Sequence, residues 1–265
     1  SVDGIVREVK KAIYNGFSEI TLLGQNVNSY NYNDKKFPEL LDSVAKVDGV
    51  KRIRYTSPHP QDINEELLEI MAKHDNICNY IHLPLQAGSN RILKRMNRTY
   101  TKEKFIELVD KIRTCLPGVG ISTDIIVGFP GETEEEFNET LEVMRKVKFD
   151  SAFTFKYSPR KGTKAIEYDD QLGEDEKQRR LTKVIELQKF NTELRNQSYV
   201  NKVVDVLIEK KSKRNESKWA GRTDSNKWVI FNRLDFNIND IVPVLITKSK
   251  GITLYGEIIK KVKVA

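Results

Sequence analysis

The chain has 265 residues, 38% hydrophobic and 31% charged, which suits one large domain or a large and a small one. It has no apolar run of the ~20 residues that a membrane span needs, and its first residues lack a signal-peptide core, so it reads as a cytoplasmic protein with no membrane partner. The net charge is +7, and residues 197–265 hold 14 Lys/Arg against 7 Asp/Glu, so the whole excess lies in the last quarter, as in modules that meet a polyanion.

Along residues 1–160 helix and strand alternate. "GIVREVKKAIYNG" (4–16) has an apolar face of Ile5, Val6, Val9 and Ile13 and closes on Gly16. Strand "EITLLG" (19–24) follows, then helix 37–49, strand "KRIRYTS" (51–57), helix 64–75 and strand "YIHLPLQ" (80–86). Helix 101–118 is capped by Thr101, and strand 120–129, helix 133–148 and strand 150–158 complete the series. Such alternation implies parallel βαβ units. Five strands are too few for a closed eight-stranded barrel, so an open or partial barrel is expected. A long charged helix (172–200) then packs as a linker. The remaining β-rich runs, 202–212, 218–232, 240–251 and 252–264, predict a small antiparallel barrel.

Ligands of parallel βα folds sit at the carboxyl ends of strands. Here those ends are "GQNVNSY", "YTSPHP", "HLPLQAGSNRILKRMNR", "TDIIVGFPGETEEEF" and "FKYSPRKGT". They are rich in amides, hydroxyls and turn residues. There is no Walker A motif, no GxGxxG, no HExxH and no converging carboxylate pair, and Glu132 to Glu136 read as a helix's first turn. The site is built to hold a ligand, which points to cofactor-driven chemistry. Cys78 and Cys115 stand far apart, outside any CxxC, and read as free thiols in a reducing compartment, not metal ligands.

Taken in order, "LLGQNVNSY", "RIRYTSPHP", "HLPLQAGSNRILKRMNR", "TDIIVGFPGETEEEFNETL" and "FTFKYSPRKGTKA" resemble successive blocks of the radical-SAM methylthiotransferases. "GQNVNSY" is most similar to the branch that modifies adenosine beside the anticodon of tRNA. The resemblance implies an α/β fold: a partial (β/α)6 radical-SAM barrel lacking its first strand (1–196), then a TRAM RNA-binding barrel (197–265). It implies 2-methylthiolation of N6-isopentenyladenosine. The cofactors are S-adenosylmethionine and two 4Fe–4S clusters. The partners are the tRNA anticodon stem-loop and donors of sulfur and electrons, with no DNA. The threonylcarbamoyladenosine branch, the ribosomal-protein branch and a non-catalytic RNA-binding homologue are the alternatives.

The resemblance also places residues. Gly24, Gln25 and Asn26 take the position that receives the methionine end of the cofactor, with Ser57 at the next strand end. Gln86 and Ser89 face its ribose, although Ser89 could instead cap a helix. Arg98 suits its carboxylate, and Ile126 and Gly128 frame its adenine. His59, Tyr157 and Arg160 face the substrate. In the tail, Lys210, Lys211, Lys213, Arg214, Lys218, Trp219 and Arg222 interleave cations with an aromatic, the pattern of a surface for single-stranded RNA. Trp228 reads as core and His82 as an interior histidine. The family's CxxxCxxC is absent, as are the auxiliary-cluster cysteines, so the metal ligands are expected outside this chain. The chain reads as a C-terminal piece that is inactive alone.

Overall fold

The structure, a computed structural model, describes residues 1–56 and 59–259. It forms two compact units. One comprises Ser1–Ile81, Cys115–Gly120 and the chain from Glu193; the other comprises His82–Thr114 and Ile121–Thr192.

In the first unit α1 (Val2–Tyr14) is capped by the Ser1 Oγ, which accepts from the Gly4 N–H at 3.2 Å. Gly16 ends it at φ +88°, a left-handed conformation that costs glycine little. β1 (Glu19–Leu22) follows. A hairpin of β2 (Asn31–Tyr32) and β3 (Lys35–Lys36) turns on Asn33 and Asp34, both at positive φ, as a type I′ turn requires. α2 (Phe37–Ala45) buries Phe37, Leu40, Leu41 and Val44. β4 (Arg52–Tyr55) pairs in parallel with β1, Ile20 opposite Ile53. α3 (Glu65–Lys73), capped by Asn64, leads to β5 (Tyr80–His82).

The second unit holds α4 (Asn90–Arg95), most of α5 (Lys102–Cys115) and β6 (Gly120–Val127), then α6 (Glu134–Val147), β7 (Ser151–Lys156) and the larger part of α7 (Glu174–Gln197). Within this unit β6 and β7 pair in parallel, Ile125 opposite Thr154. All five expected strands of the βα region are present.

α7 is not a conventional amphipathic helix. It buries Lys177, Arg180, Gln188 and Asn191 around a single buried aliphatic, Val184. These polar groups satisfy helix-end and loop carbonyls. Gln188 Nε2 donates to the Phe149 carbonyl at 2.9 Å, and Asn191 Nδ2 to that of Met144, near the end of α6, at 3.0 Å. Glu132 was expected to open the α6 helix. It lies before the Thr133 cap instead, 3% exposed, and accepts from the Gly128 N–H at 2.7 Å and from Arg180 at 2.8 Å. The pair ties α7 to the end of β6.

The C-terminal strands β8 (Val203–Ser212), β9 (Asn215–Thr223), β10 (Trp228–Asn232), β11 (Ile241–Lys250) and β12 (Thr253–Ile258) close into a barrel ordered β10-β12-β11-β8-β9. The expected antiparallel barrel needs one correction, since β10 and β12 run parallel. A ring of five strands cannot alternate direction all the way round, so one neighbouring pair must be parallel.

Two arginines of β4 join this barrel to the β1–β4 pair within the first unit. Arg52 donates to the carbonyls of Arg222 and Asp205 at 2.5 and 2.8 Å, and Arg54 to those of Thr223 and Asp224 at 2.8 and 3.0 Å. Arg54 Nε also meets Glu19 at 3.0 Å. The arginines are 4% and 7% exposed, so every donor counts. Arg54→Met should lower the unfolding free energy by about 3 kcal/mol, because it strands two carbonyls and weakens the partnering of Glu19. Denaturant unfolding of the full chain measures this, and a loss under about 1 kcal/mol would show that the clamp is dispensable.

Candidate functional site

The second unit contains a cavity of about 970 Å³ at the carboxyl ends of β6 and β7. Gln86, Asp124, Ile126, Phe155 and Tyr157 line it, with Arg98, Arg160 and Lys164 among its cations. Side chains alternate across a strand, so Asp124 and Ile126 share one face of β6. Asp124 is held by His82, whose Nε2 lies 3.3 Å from Oδ2, while His82 Nδ1 lies 2.8 Å from the Ser122 Oγ. Phe153 packs edge-on against the same imidazole at 5.9 Å. His82 is therefore a hydrogen-bonded interior histidine, as read from the sequence, and it also fixes the one carboxylate in the cavity's lining.

Gln86 is pinned to β6 by its backbone. Its N–H donates to the Asp124 carbonyl at 2.8 Å, and its own carbonyl accepts from Ile126 at 2.9 Å. Its φ of +69° is unusual for a residue with a side chain and places it in a functional-site geometry. Its Oε1 is buried without a hydrogen-bond partner, as are the Arg98 Nε and the Tyr157 hydroxyl. All three residues line the same cavity, so their unsatisfied groups converge on one space. Burial, with Tyr168 nearby, raises the Tyr157 hydroxyl above its ordinary value. Five expected site residues, Gln86, Arg98, Ile126, Tyr157 and Arg160, thus line one cavity.

Other expectations need correction. Ser89 is 2% exposed; its Oγ caps α4 at Ile92 and donates to Glu136 at 3.0 Å, so the capping alternative accounts for it. Gly128, at φ +69°, is also occupied: a Cβ there would lie 2.5 Å from Lys177 Cγ, so α7 uses the space intended for a ligand. In the first unit Gly24 packs on Val27, and Gln25 is exposed. Asn26 Nδ2 donates to Asp62 at 2.7 Å, and both Asn26 and Asn28 Oδ1 accept from the His59 N–H, at 3.1 and 2.8 Å. The amides after β1 thus lace its loop to the loop after β4. His59 Nδ1 accepts from the Gln61 N–H and caps a single 3-10 turn. Ser57 lies outside the described residues.

In the C-terminal barrel the two tryptophans exchange their expected places. Trp219 is 3% exposed in the core with Val206, Phe231 and Val244. Trp228 is half-buried, with the Lys210 Nζ 4.5 Å and the Arg222 guanidinium 5.6 Å from its ring. The β9–β10 ladder is regular: Trp219 stands opposite Phe231 on the inward face, and Trp228 stands opposite Arg222 on the other. Arg222 is committed to ion pairs with Glu209 and Glu19. Lys210, Lys211, Lys213 and Arg214 are exposed, the last two at the β8–β9 turn, and Lys218 is half-buried.

The described residues do not fit an iron–sulfur cluster. No group of three His, Cys, Asp or Glu among them is placed to hold a metal. Cys78 is 3% exposed, and burial pushes its thiol up to about 11, away from the thiolate that a cluster needs. The cavity does fit the polar and apolar parts of S-adenosylmethionine, since it offers an orphaned carbonyl, a carboxylate, a guanidinium and apolar ring walls. No helix among the described residues is long and apolar enough to cross a membrane.

Comparison with known proteins agrees with this geometry. The family model described as the radical SAM superfamily matches residues 1–144, and that of the TRAM domain matches residues 197–259. The tRNA-2-methylthio-N(6)-dimethylallyladenosine synthase of Clostridium tetani is 48% identical over 97% of this chain and 57% of its own length. The same synthase of Carboxydothermus hydrogenoformans is 46% identical over 97% and 59%. The chain thus spans less than two thirds of these relatives. Among solved structures, coproporphyrinogen III oxidase of Escherichia coli, a radical SAM enzyme, superposes with a TM-score of 0.53 at 12% identity, covering 84% of this chain and 60% of that one. That likeness is one of fold.

The capping group around Ser89 gives a pH signature. Burial alone would raise the Glu136 carboxyl, but hydrogen bonds from Arg91, the Thr133 N–H and Ser89 outweigh it and bring it from 4.5 to about 2. A carboxyl depressed by folding stabilises fully above its unfolded value, and the contribution disappears as pH falls through its folded value. Between pH 4.5 and 2 the fold should lose about 3 kcal/mol at this residue. Unfolding measured across that range should show a shallower acid limb in Glu136→Gln, and an unchanged limb would contradict the assignment.

Proposed function

The chain belongs to the radical SAM superfamily and carries a TRAM domain, and from that footing we propose that it is the cofactor- and RNA-handling portion of a tRNA methylthiotransferase. The substrate is N6-isopentenyladenosine beside the anticodon, and the product is its 2-methylthio derivative. The observation that carries this reading is the identity of 48% and 46% to two such synthases across 97% of the chain. The cavity at the strand ends supports it independently, since it combines orphaned polar groups with aromatic walls.

Bound S-adenosylmethionine supplies the one-electron chemistry that opens an unactivated C–H bond. The residues of this chain bind and orient. Gln86 Oε1 accepts a hydrogen bond from the ligand, and Asp124, fixed by His82, accepts a second. Ile126 and Phe155 form apolar walls, and Phe129 with Tyr157, edge to face at 5.1 Å, closes one side against water. Cluster ligands, the sulfur donor and the electron donor come from outside the described residues.

For RNA, the β8–β9 hairpin offers Lys210, Lys211, Lys213 and Arg214 to phosphates, with Lys218 beside them. Trp228 takes over the aromatic role first given to Trp219. It is half-buried, with Lys210 Nζ 4.5 Å and the Arg222 guanidinium 5.6 Å from its ring, so an aromatic surface and cations stand together as single-stranded RNA requires.

Deleting the gene that encodes the chain should remove 2-methylthio-N6-isopentenyladenosine from cellular tRNA and leave the unthiolated nucleoside in its place. Mass spectrometry of digested tRNA reads both species, and an unchanged level of the thiolated one would overturn the reading.

A further inference from the structure

We infer that the cavity of the second unit carries its own phosphate-binding rim, formed by Lys94, Arg98, Arg160 and Lys164, for the RNA backbone on either side of the target base. The inference rests on the RNA-modifying reading above and assigns part of the RNA contact to this unit as well as to the C-terminal barrel.

All four cations line the one cavity, and none of them has a carboxylate partner among the described residues. Their neighbours behave differently. Arg95 is neutralised by Asp170 at 2.7 Å and Lys156 by Glu174 at 3.2 Å. On α7 of the same unit, Arg179 and Arg180 share Glu176 and Glu134. Cations elsewhere in the unit, Lys104, Arg145 and Lys146 among them, also stand outside its ion pairs, so what sets the cavity apart is that four such cations share one concave wall. The only carboxylate in the lining is Asp124, which His82 engages.

Like charges gathered around a concave, low-dielectric wall repel one another, and they focus a positive potential on whatever enters. S-adenosylmethionine does not relieve that potential. Its sulfonium and ammonium outnumber its one carboxylate, so its own net charge is positive. A nucleobase is neutral. Phosphodiesters are the remaining part of the proposed substrate, and they carry the charge of the right sign at regular spacing. An enzyme that modifies a base draws it out of the stack into a pocket, which leaves the flanking phosphates at the mouth. Lys94, Arg160 and Lys164 are exposed, as a rim must be, whereas Arg98 is half-buried with an orphaned Nε. The volume of about 970 Å³ lies at the upper end for ligand pockets and leaves room for a base beside a cofactor.

The test is fluorescence anisotropy with a labelled RNA stem-loop, titrated with the whole chain over a range of salt concentrations. Lys94→Gln with Lys164→Gln is the variant, since both side chains are exposed and thermal melting should match the parent. Each phosphate contact to a single strand contributes about 0.7 to the slope of log affinity against log salt, so the double variant should lose about 1.4. An unchanged slope in a variant that binds RNA like its parent overturns the rim alone. A parent that binds the stem-loop with no salt dependence overturns both the rim and the RNA reading. If the variant loses S-adenosylmethionine binding by calorimetry and keeps the RNA slope, the cations serve the cofactor and the inference falls.

Discussion

Two arginines on one four-residue strand determine how the first unit is built. Arg52 and Arg54 point from β4 into the wall of the C-terminal barrel and spend their donors on four of its carbonyls. Both are almost wholly buried, so neither has water as an alternative partner. The contact is thus either complete or costly, and it holds the barrel in one position. Glu19 on the adjacent strand and Arg222 on the barrel extend it into a network that spans both elements.

Buried polar groups recur as the structural device of this chain. Glu132 with Arg180, Glu136 with Arg91 and Ser89, and the amides of α7 all bind helix ends or loops that aliphatic packing alone would leave undefined. Orphaned atoms occur elsewhere too, as at Glu132 Oε1 and Gln188 Oε1, but in the cavity a carbonyl, a hydroxyl and a guanidinium nitrogen stand beside four cations on one wall. Sites that violate the local rules of satisfaction are where a ligand is to be sought.

Much of this was legible in the residues. Apolar periodicity and turn residues located the five longer strands of the βα region and the helices between them, but not the short β2–β3 hairpin, and the strand-end blocks hold Gln86, Arg98, Ile126, Tyr157 and Arg160, which line one cavity. What was hidden depended on long-range partners. The α7 helix has no apolar stripe to read, because its buried face is polar. Trp219 and Trp228 exchange roles because Trp219 pairs with Phe231 on the inward face, whereas Trp228 pairs with Arg222 on the other, and which face of each strand turns inward is set by pairing that a single strand's sequence does not show. The amides after β1 looked like ligand groups but bind the neighbouring loop, since parallel strands end side by side and their loops must be laced together. Arg52 and Arg54 did carry a signal. Two arginines alternating with Ile53 and Tyr55 on a buried parallel strand require partners elsewhere in the chain.

We propose that RNA meets this chain at two places, the β8–β9 hairpin and the cationic mouth of the cavity. Amide hydrogen exchange of the whole chain, with and without a tRNA anticodon stem-loop, tests it most directly. The account predicts slowed exchange both around residues 211–216 and around residues 158–165. Slowing in the hairpin alone, or in neither place, would contradict it.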